Sequence, residues 1–263
     1  MNGPQRIVCL TEETVETLYL LGQADRIVGV TGYAVRPAQV RREKPRVGAF
    51  TSADVPKILD LAPDLVLTFS DLQADIAAEL IRAGVSVHAF NQRSVDEILD
   101  MIRTLGALLH CQGRAHALCT RLSKRIARLE TKTRPHFPRV YFEEWDDPPI
   151  SGIAWVSELI EIAGGKDVFA DLRREQGAKA RILDSAQVIK AAPDVILASW
   201  CGKKVHPEKI ARRAGWHTIP AVANNRIYEI KSPLILQPGP AALTDGLDAI
   251  EAALWPTNEA LRT

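Results

Sequence analysis

Hydrophobic and polar positions follow two alternating patterns along the first third of the chain. Short apolar runs rich in β-branched residues predict strands, and the segments between them carry apolar residues at helical spacing, which is typical of parallel α/β units. The predicted strands are residues 6–10, 26–30, 65–69 and 85–90. The predicted helices are residues 12–21, 55–61 and 71–83.

The middle of the chain follows a single pattern. From Ser94 to Thr133 there is no proline, and apolar residues recur with the 3.6-residue period of a helix. Ser94 and Glu97 have the spacing of a capping box, which marks a helix start. We therefore predict one long helix, bent near Gly113, that forms a bridging segment over residues 94–134.

The α/β pattern then restarts. Strands are predicted at residues 139–142, 195–198 and 226–230, and helices at residues 156–163, 185–192, 208–214 and 241–254. Residues 58–69 (ILDLAPDLVLTF) are echoed by residues 188–199 (VIKAAPDVILAS), and each predicts a short helix, Pro-Asp and a buried strand. The prediction is an α/β fold with two Rossmann-like lobes, residues 1–93 and 135–263, bridged by one long helix, with a ligand cleft between the lobes.

Ligands of parallel α/β sheets meet the loops at the carboxyl ends of the strands. Several of these loops carry aromatic side chains, which offer flat apolar walls to a large planar ligand, beside polar groups that can bond its fringe. The predicted ligand contacts are Glu12, Tyr33, Phe69, Ser70, Asp71 and Gln92 in the first lobe and Glu144, Trp145, Trp155, Trp200, Cys201 and Ser232 in the second.

Two groups allow other interpretations. The acidic run at residues 143–147 suggests an acid/base pair or a hard-metal site, but adjacent strand residues point to opposite faces, which favours a loop braced by nearby Arg or Lys. Cys201, followed by Lys203 and Lys204, is interpreted as a passive wall, a soft axial ligand to a bound metal, or a nucleophile. No partner base is evident for the nucleophile, so we predict no catalytic residue and no metal site built from protein side chains alone.

Composition narrows the class of protein. With a net charge of +1 over 263 residues, strong non-specific attraction to nucleic acid is not expected. No apolar stretch approaches the roughly 18 residues of a membrane helix, so no membrane insertion is predicted. The first predicted strand begins at Arg6 with no signal-peptide pattern before it, which predicts a cytoplasmic protein, or a periplasmic one if a signal peptide has been removed.

Four segments resemble a known family in the same order along the chain. They are RIVCLTEETVETLYLLGQADRIVGVTGY, APDLVLTF, PPISGIAWVSELIEIAGGKDVFADL and APDVILASW. Together they resemble helical-backbone substrate-binding proteins, which deliver cobalamin, haem or ferric siderophores to ABC importers. The segment DDPPISG is most similar to the cobalamin-binding branch. The resemblance implies two lobes with small hinge motion and places Tyr33 and Trp145 near aromatic ligand contacts.

The chain departs from this family where the family docks to its importer. Pro56 and Ala186 stand where the docking glutamates are expected, with Asp54 and Asp184 nearby as imperfect substitutes. This makes an importer permease a doubtful partner. The resulting prediction is a cytoplasmic carrier or sensor of cobalamin or a related corrinoid, not an enzyme, with no required cofactor. The alternatives are a siderophore or haem receptor of an ABC importer, and a tetrapyrrole-processing enzyme using Cys201.

Overall fold

The computed structural model describes residues 3–256, and their contacts form two compact units. Unit 1 comprises the chain up to Gln92 together with Asp96–Leu122, and unit 2 comprises Arg93–Val95 and the chain from Ser123 onward. The predicted bridging segment 94–134 is thus divided between the two units. The extreme ends of the predicted lobes, residues 1–2 and 257–263, lie outside the described residues.

Unit 1 contains a four-stranded parallel sheet in the order β2-β1-β3-β4. Its strands are β1 (Ile7–Cys9), β2 (Ile27–Val30), β3 (Leu65–Phe69) and β4 (Val87–Phe90). The central strands β1 and β3 are buried along their whole length, as expected for a parallel sheet covered on both faces. All four strands predicted for this part of the chain are confirmed.

The helices around this sheet begin and end close to the predicted positions. They are α1 (Glu12–Leu20), α2 (Val40–Glu43), α3 (Val55–Asp60), α4 (Ala74–Arg82) and α5 (Val95–Leu108), and α6 (Gln112–Glu130) starts in unit 1 and ends in unit 2. Only α2 had not been predicted. No helix in the described part of the chain has both the length and the apolar character needed to cross a bilayer.

The long helix predicted for residues 94–134, with a bend near Gly113, is helical over most of its length but is interrupted before Gly113, so the chain forms α5 and α6 with a break between them. His110 adopts a left-handed backbone conformation with φ of 54°, and the backbone N–H of Cys111 bonds to the carbonyl of Gly106 as a helix end does. A Cβ on Gly106 would collide with the side chain of Ala115, so the two helices approach closely just beyond the break. The helical period of apolar residues continues across residues 108–112, so this period does not indicate where α5 ends and α6 begins.

Unit 2 contains a five-stranded sheet. Its strands are β5 (Arg139–Asp146), β6 (Pro149–Ser151), β7 (Lys166–Asp167), β8 (Val195–Ala198) and β9 (Ile227–Glu229), in the order β6-β5-β8-β9 with β7 also paired to β5. Strands β5, β7, β8 and β9 are parallel, whereas β6 turns back antiparallel to β5. Strands β6 and β7 had not been predicted, since two or three residues are too few to produce a pattern.

The helices of unit 2 cover this sheet. They are α7 (Ala154–Ile162), α8 (Ser185–Ala191), α9 (Pro207–Ala211), α10 (Pro220–Ala223), α11 (Ser232–Ile235) and α12 (Leu247–Leu254), and a π-helical segment (Ala242–Gly246) leads into α12. A buried cluster on one side of the sheet contains Tyr141, Trp200 and Trp216. The π-helical segment and α12 together cover residues 242–254, so the helix predicted at residues 241–254 is confirmed, with a π-helical start.

The Pro-Asp echo of the sequence is a repeated corner in the structure. In unit 1 the carboxylate of Asp64 accepts the backbone N–H of Arg6 at 2.9 Å. The guanidinium of Arg6 in turn donates to the carbonyls of Leu61 and Ala62 at the end of α3. These carbonyls lack partners within their own helix, so a cation that bonds them stabilises the helix end.

Unit 2 builds the same corner from the matching residues. Asp194 accepts the backbone N–H of Arg139 at 2.8 Å, and the guanidinium of Arg139 bonds the carbonyl of Ala191 at the end of α8. The residue before the Pro-Asp pair is left-handed in both units, with φ of 45° at Ala62 and 42° at Ala192. The predicted relationship between the two lobes therefore extends to individual hydrogen bonds.

Candidate ligand-binding surfaces

The carboxyl ends of the unit 1 strands carry the six residues predicted there. Glu12 begins α1 directly after β1, Tyr33 follows β2, and Phe69 ends β3; Ser70 and Asp71 come next, and Gln92 follows β4. Because the four strands are parallel, these positions share one edge of the sheet.

The two aromatic residues at this edge differ in exposure. Tyr33 is 52% exposed, so its ring is open to a partner, whereas Phe69 is only 6% exposed and belongs to the interior. The prediction that Phe69 forms a ligand wall is therefore corrected, because its side chain is buried. Of the predicted aromatic walls of unit 1, Tyr33 alone offers a ring to a ligand.

Gln73 links three segments at this edge through hydrogen bonds, although it was not among the predicted ligand contacts. Its side-chain N–H groups donate to the carbonyls of Leu10 at 3.2 Å and Phe50 at 2.7 Å, and its oxygen accepts the backbone N–H of Phe69 at 2.9 Å. One buried amide thus joins three separate segments. A polar residue four residues after the end of a buried strand was the only sign of it in the sequence. Nearby, the hydroxyl of Ser70 accepts the backbone N–H of Leu72 at 3.3 Å.

Two adjacent glutamates, Glu12 and Glu13, form the first turn of α1, and both are largely shielded from solvent. Burial, together with the smaller effect of the charge of neighbouring Glu13, raises the pKa of Glu12 to about 8. Burial also raises the pKa of Glu13 to about 7, although the hydroxyl of Thr11, which donates to its carboxyl at 2.6 Å, opposes the shift. Near neutral pH this edge therefore offers carboxylic acids that donate a hydrogen bond as well as carboxylates that accept one.

The acidic run of unit 2 is braced by cations, as the favoured interpretation predicted. Glu144 receives two hydrogen bonds from Arg181, at 2.7 and 3.1 Å, and Asp146 is paired with Lys203. Glu143 is paired instead with Arg213, so neighbouring carboxylates face different cations. Glu144 had been predicted as a ligand contact, but its carboxylate is already engaged within its own unit by Arg181.

Glu143 is the most deeply buried of these carboxylates. It has no exposed surface, and besides Arg213 it accepts the indole N–H of Trp200 at 3.1 Å and the hydroxyl of Tyr141 at 3.1 Å. Burial raises the pKa of Glu143, while the hydrogen bonds from Arg213 oppose that shift. This arrangement supports the sheet and leaves no lone carboxylate to act as an acid or base.

The three tryptophans predicted as ligand contacts differ in exposure, as the two aromatic residues of unit 1 do. Trp155 and Trp200 are 3% and 2% exposed, and each indole N–H finds an acceptor inside the unit, Ile235 and Glu143 respectively. They are core side chains, which corrects the prediction that they line a ligand site. Trp145 is partly exposed, and the ammonium of Lys203 lies 4.2 Å from the centre of its ring.

An open cavity of about 420 Å³ lies at the carboxyl ends of β8 and β9. It is lined by Gly202, Lys203, Lys204, Glu229, Lys231, Ser232 and Pro233. Ser232 was a predicted ligand contact, and Cys201 is exposed at the next position before the lining begins. The lysines had not been predicted as ligand contacts. Their positions after two neighbouring parallel strands would have pointed to a shared edge.

The substitutes for the docking glutamates cap their own helices. A side-chain oxygen of Asp54 accepts the backbone N–H of Lys57 at the start of α3, at 3.1 Å. Asp184 accepts the backbone N–H of Gln187 at 2.8 Å in a full capping box at the start of α8. Both carboxylates are on exposed residues, at matching places in the two units. Within residues 3–256, no group of three or more His, Cys, Asp or Glu side chains is arranged to hold a metal ion.

The sequence profile of the family described as periplasmic binding protein matches residues 7–234, most of the chain. The chain belongs to the periplasmic binding protein family. It is therefore a solute-binding protein rather than an enzyme, and the predicted resemblance is confirmed at the level of the family.

Relatives of this family member are similar over nearly the whole chain. An uncharacterized ABC transporter substrate-binding lipoprotein of Bacillus subtilis is 26% identical over 264 residues, which cover 96% of this chain and 81% of the relative. A vitamin B12-binding protein of Vibrio cholerae is 26% identical over 255 residues, covering 94% of this chain and 87% of the relative.

Solved structures of the family have the same two-lobed α/β fold. A periplasmic haem-binding protein from Roseiflexus sp. RS-1 matches with a TM-score of 0.81 and 25% identity, covering 96% of this chain and all of that one. The periplasmic vitamin B12-binding protein of Vibrio cholerae matches with a TM-score of 0.75 and 24% identity, covering 99% of each chain. The predicted fold class is confirmed.

The family overturns the predicted location. The Bacillus subtilis relative is a lipoprotein, and the haem- and vitamin B12-binding structures are of periplasmic proteins. The prediction of a cytoplasmic protein was therefore wrong, and the role of a cytoplasmic carrier or sensor is set aside with it. It had relied on the first few residues, whereas the matching family covers the folded chain from residue 7 onward.

Proposed function

We propose that this solute-binding protein binds a corrinoid and presents it to the permease of an ABC importer. The observation that carries the proposal is one aromatic side chain with exposed surface at the strand ends of each unit: Tyr33 in unit 1, and the partly exposed Trp145 in unit 2, against which Lys203 lies. A corrin is a large, mostly apolar ring fringed with amides, so it needs flat apolar surfaces with hydrogen-bonding groups beside them. The similarity to vitamin B12-binding proteins over most of the chain supports the same ligand class.

The polar groups near these rings suit an amide fringe, which both donates and accepts hydrogen bonds. In unit 1 the exposed Asp71 supplies acceptors, and Glu12, with its pKa raised to about 8 chiefly by burial, supplies a donor at neutral pH. In unit 2 the partly exposed Ser232 supplies a hydroxyl that can do either. Gln92 is buried at 4% exposure, so it is a weaker candidate for direct contact.

The proposal is tested by titrating the purified protein with cyanocobalamin and with dicyanocobinamide, followed by calorimetry and visible spectra. We expect saturable binding of at least one of them. Tyr33→Ala and Trp145→Ala should each weaken it roughly thirtyfold, the usual cost of removing an aromatic contact of about 2 kcal/mol. Trp255→Phe provides a control tryptophan, because that indole bonds the carbonyl of Ala163 away from the strand ends. Absence of heat with every corrinoid at high micromolar concentration would refute the assignment.

A haem or ferric siderophore is the second candidate, and one observation favours it. Three lysines line the cavity at the ends of β8 and β9, and both ligand classes carry anionic groups. The structural similarity to a haem-binding protein is consistent with this alternative. Titration with haem and with an anionic ferric catecholate under the same conditions as the corrinoids distinguishes these ligand classes, because the class that binds most tightly is the preferred one.

A further inference from the structure

Three lysines from two strand ends converge on one cavity of unit 2. Lys203 and Lys204 follow β8, and Lys231 follows β9, the strand that pairs with β8 in parallel. They line the cavity of about 420 Å³ together with Glu229 and Ser232. Ligand pockets commonly measure roughly 300–1,000 Å³, so this volume lies within the usual range of a small-molecule site.

The charges around this cavity do not cancel. Lys203 forms an ion pair with Asp146 and lies against the ring of Trp145, so the charge of Lys203 is compensated within unit 2. A carboxylate oxygen of Glu229 accepts the backbone N–H of Val205 at 3.1 Å.

Neither Lys204 nor Lys231 forms an ion pair with any residue in the range 3–256. Both are exposed. Together with Glu229 they leave a positive balance at the open side of the cavity. A lysine ammonium is a compact charge with three donors on a flexible stem, which suits it to follow an anionic group presented by a ligand. Two of them beside one hydroxyl, that of Ser232, form a set of donors that outnumbers the single carboxylate of the cavity lining, Glu229.

We propose that this cavity is an anion subsite, in which Lys204 and Lys231 hold ionised carboxylates at the fringe of the ligand. The inference rests on the proposed function and narrows it: the chain prefers a corrin ring that bears free carboxylates over one whose side chains are all amides. Ser232 donates a third hydrogen bond, and Trp145 lies against the ring next to the subsite. Selection by charge operates here because an amide carbonyl accepts a hydrogen bond from an ammonium group, whereas a carboxylate accepts the same bond and also carries the opposite charge.

A pair of ligands that share the corrin ring and differ in the charge of its side chains tests this inference. Cobyrinic acid and cobinamide, both as dicyano complexes, share the corrin ring, but the first carries carboxylates where the second carries amides. Affinities are measured by calorimetry and visible titration at low and high salt. We expect the wild-type protein to bind the acid at least tenfold more tightly at low salt, and the preference to shrink as salt screens the exposed charges.

Substitutions assign the preference to the two lysines. Lys204→Gln and Lys231→Gln should each lower the affinity for the acid about fivefold, with little change for the amide, since an exposed ion pair contributes on the order of 1 kcal/mol. Lys209→Gln is the matched control, because Lys209 is an exposed lysine of α9 that does not line the cavity. Equal affinity of the wild type for both ligands, or equal losses for both in the variants, overturns the inference.

A probe without a corrin ring distinguishes failure of the proposed corrinoid binding from failure of the anion subsite. If neither corrinoid binds, the lysines are labelled with ¹³C-methyl groups and the protein is titrated with tricarballylate, a small tricarboxylate. We expect saturable shifts of the Lys204 and Lys231 resonances and none for Lys209. Saturable shifts support the anion subsite even without corrinoid binding, and their absence overturns it.

Discussion

Arg213 forms a bidentate ion pair with Glu143, a carboxylate with no exposed surface at the centre of unit 2. The same guanidinium bonds the carbonyl of Asp146 and lies 4.5 Å from the centre of the Trp216 ring. This one cation therefore ties the last residues of β5 to the aromatic core behind the sheet. It also explains why the acidic run that looked chemically active in the sequence is structural.

Removing this cation should destabilise the protein strongly. Arg213→Met leaves the Glu143 carboxylate buried without its partner, which typically costs about 3 kcal/mol or more in the free energy of unfolding. Urea unfolding followed by circular dichroism measures it. Arg173→Met is the control, because the Arg173–Glu161 pair is exposed on both sides and should contribute less than about 1 kcal/mol. Similar costs for the two variants would contradict the structural role.

A second substitution shows whether the charge is the cause. Adding Glu143→Gln to Arg213→Met removes the unpaired carboxylate while keeping one acceptor oxygen for the indole N–H of Trp200 and placing an amide N–H next to the hydroxyl of Tyr141, which can accept it. The double variant should recover part of the stability lost in Arg213→Met. If it is less stable than Arg213→Met alone, the loss comes from packing against Trp216 and not from the buried charge.

Stability should depend on pH through the glutamates of α1. Burial raises the pKa of Glu13 from 4.5 to about 7, so the folded protein holds a proton there that the unfolded chain has released. The sign follows from this: the stabilisation is complete below about pH 4.5 and is lost as the pH rises through 7. One pKa unit corresponds to about 1.4 kcal/mol, so the contribution is up to about 3 kcal/mol.

Glu13→Gln removes this titration while keeping an acceptor for Thr11. Its free energy of unfolding relative to wild type should therefore rise between pH 5 and pH 8.5. Glu97→Gln, on the exposed side of α5, provides a comparison carboxylate outside the buried pair. A wild-type and a Glu13→Gln profile that run parallel across this range would show that Glu13 does not titrate near neutral pH.

The buried amide of Gln73 should be essential for the strand ends of unit 1. Gln73→Leu removes three hydrogen bonds and leaves the carbonyls of Leu10 and Phe50 without their partner, at a cost of about 2–3 kcal/mol. Hydrogen exchange of the Phe69 amide, whose acceptor is lost, should accelerate more than that of the amides of α6. The exposed Gln39→Leu is the control and should change neither quantity. Unchanged exchange at Phe69 would exclude this role for Gln73.

The sequence predicted the framework well and the site only in part, for physical reasons that can be named. Buried parallel strands are continuous β-branched runs, so residues 65–69 and 195–198 were placed without error. The bend predicted near Gly113 is a complete break at His110, and its position was not predicted because His110 stands where a glycine usually marks a helix end, while the apolar period continues.

The site residues depend on partners that are distant in sequence. Whether a tryptophan lines a surface or a core depends on an acceptor for its N–H, and for Trp155 that acceptor is Ile235, 80 residues away. Likewise, Lys204 and Lys231 share a cavity because β8 and β9 are neighbours in the sheet. Neither relationship is contained in a local pattern. Loop positions were therefore predictable, but which of their side chains remain open to a ligand was not.

The exposed thiol of Cys201 should act as a bystander to a bound corrinoid. The cavity lining begins at Gly202, so the thiol lies beside the site and not in its wall. Cys201→Ser should change the affinity for cobinamide by less than about twofold. Loss of a direct contact contributing about 1.4 kcal/mol would instead lower the affinity roughly tenfold. The visible spectrum of the complex should also stay unchanged, because no cobalt–sulfur bond is lost. Cys111→Ser, on the partly buried thiol between α5 and α6, provides the control. A spectral shift in Cys201→Ser alone would instead establish the thiolate as an axial ligand of the bound cobalt.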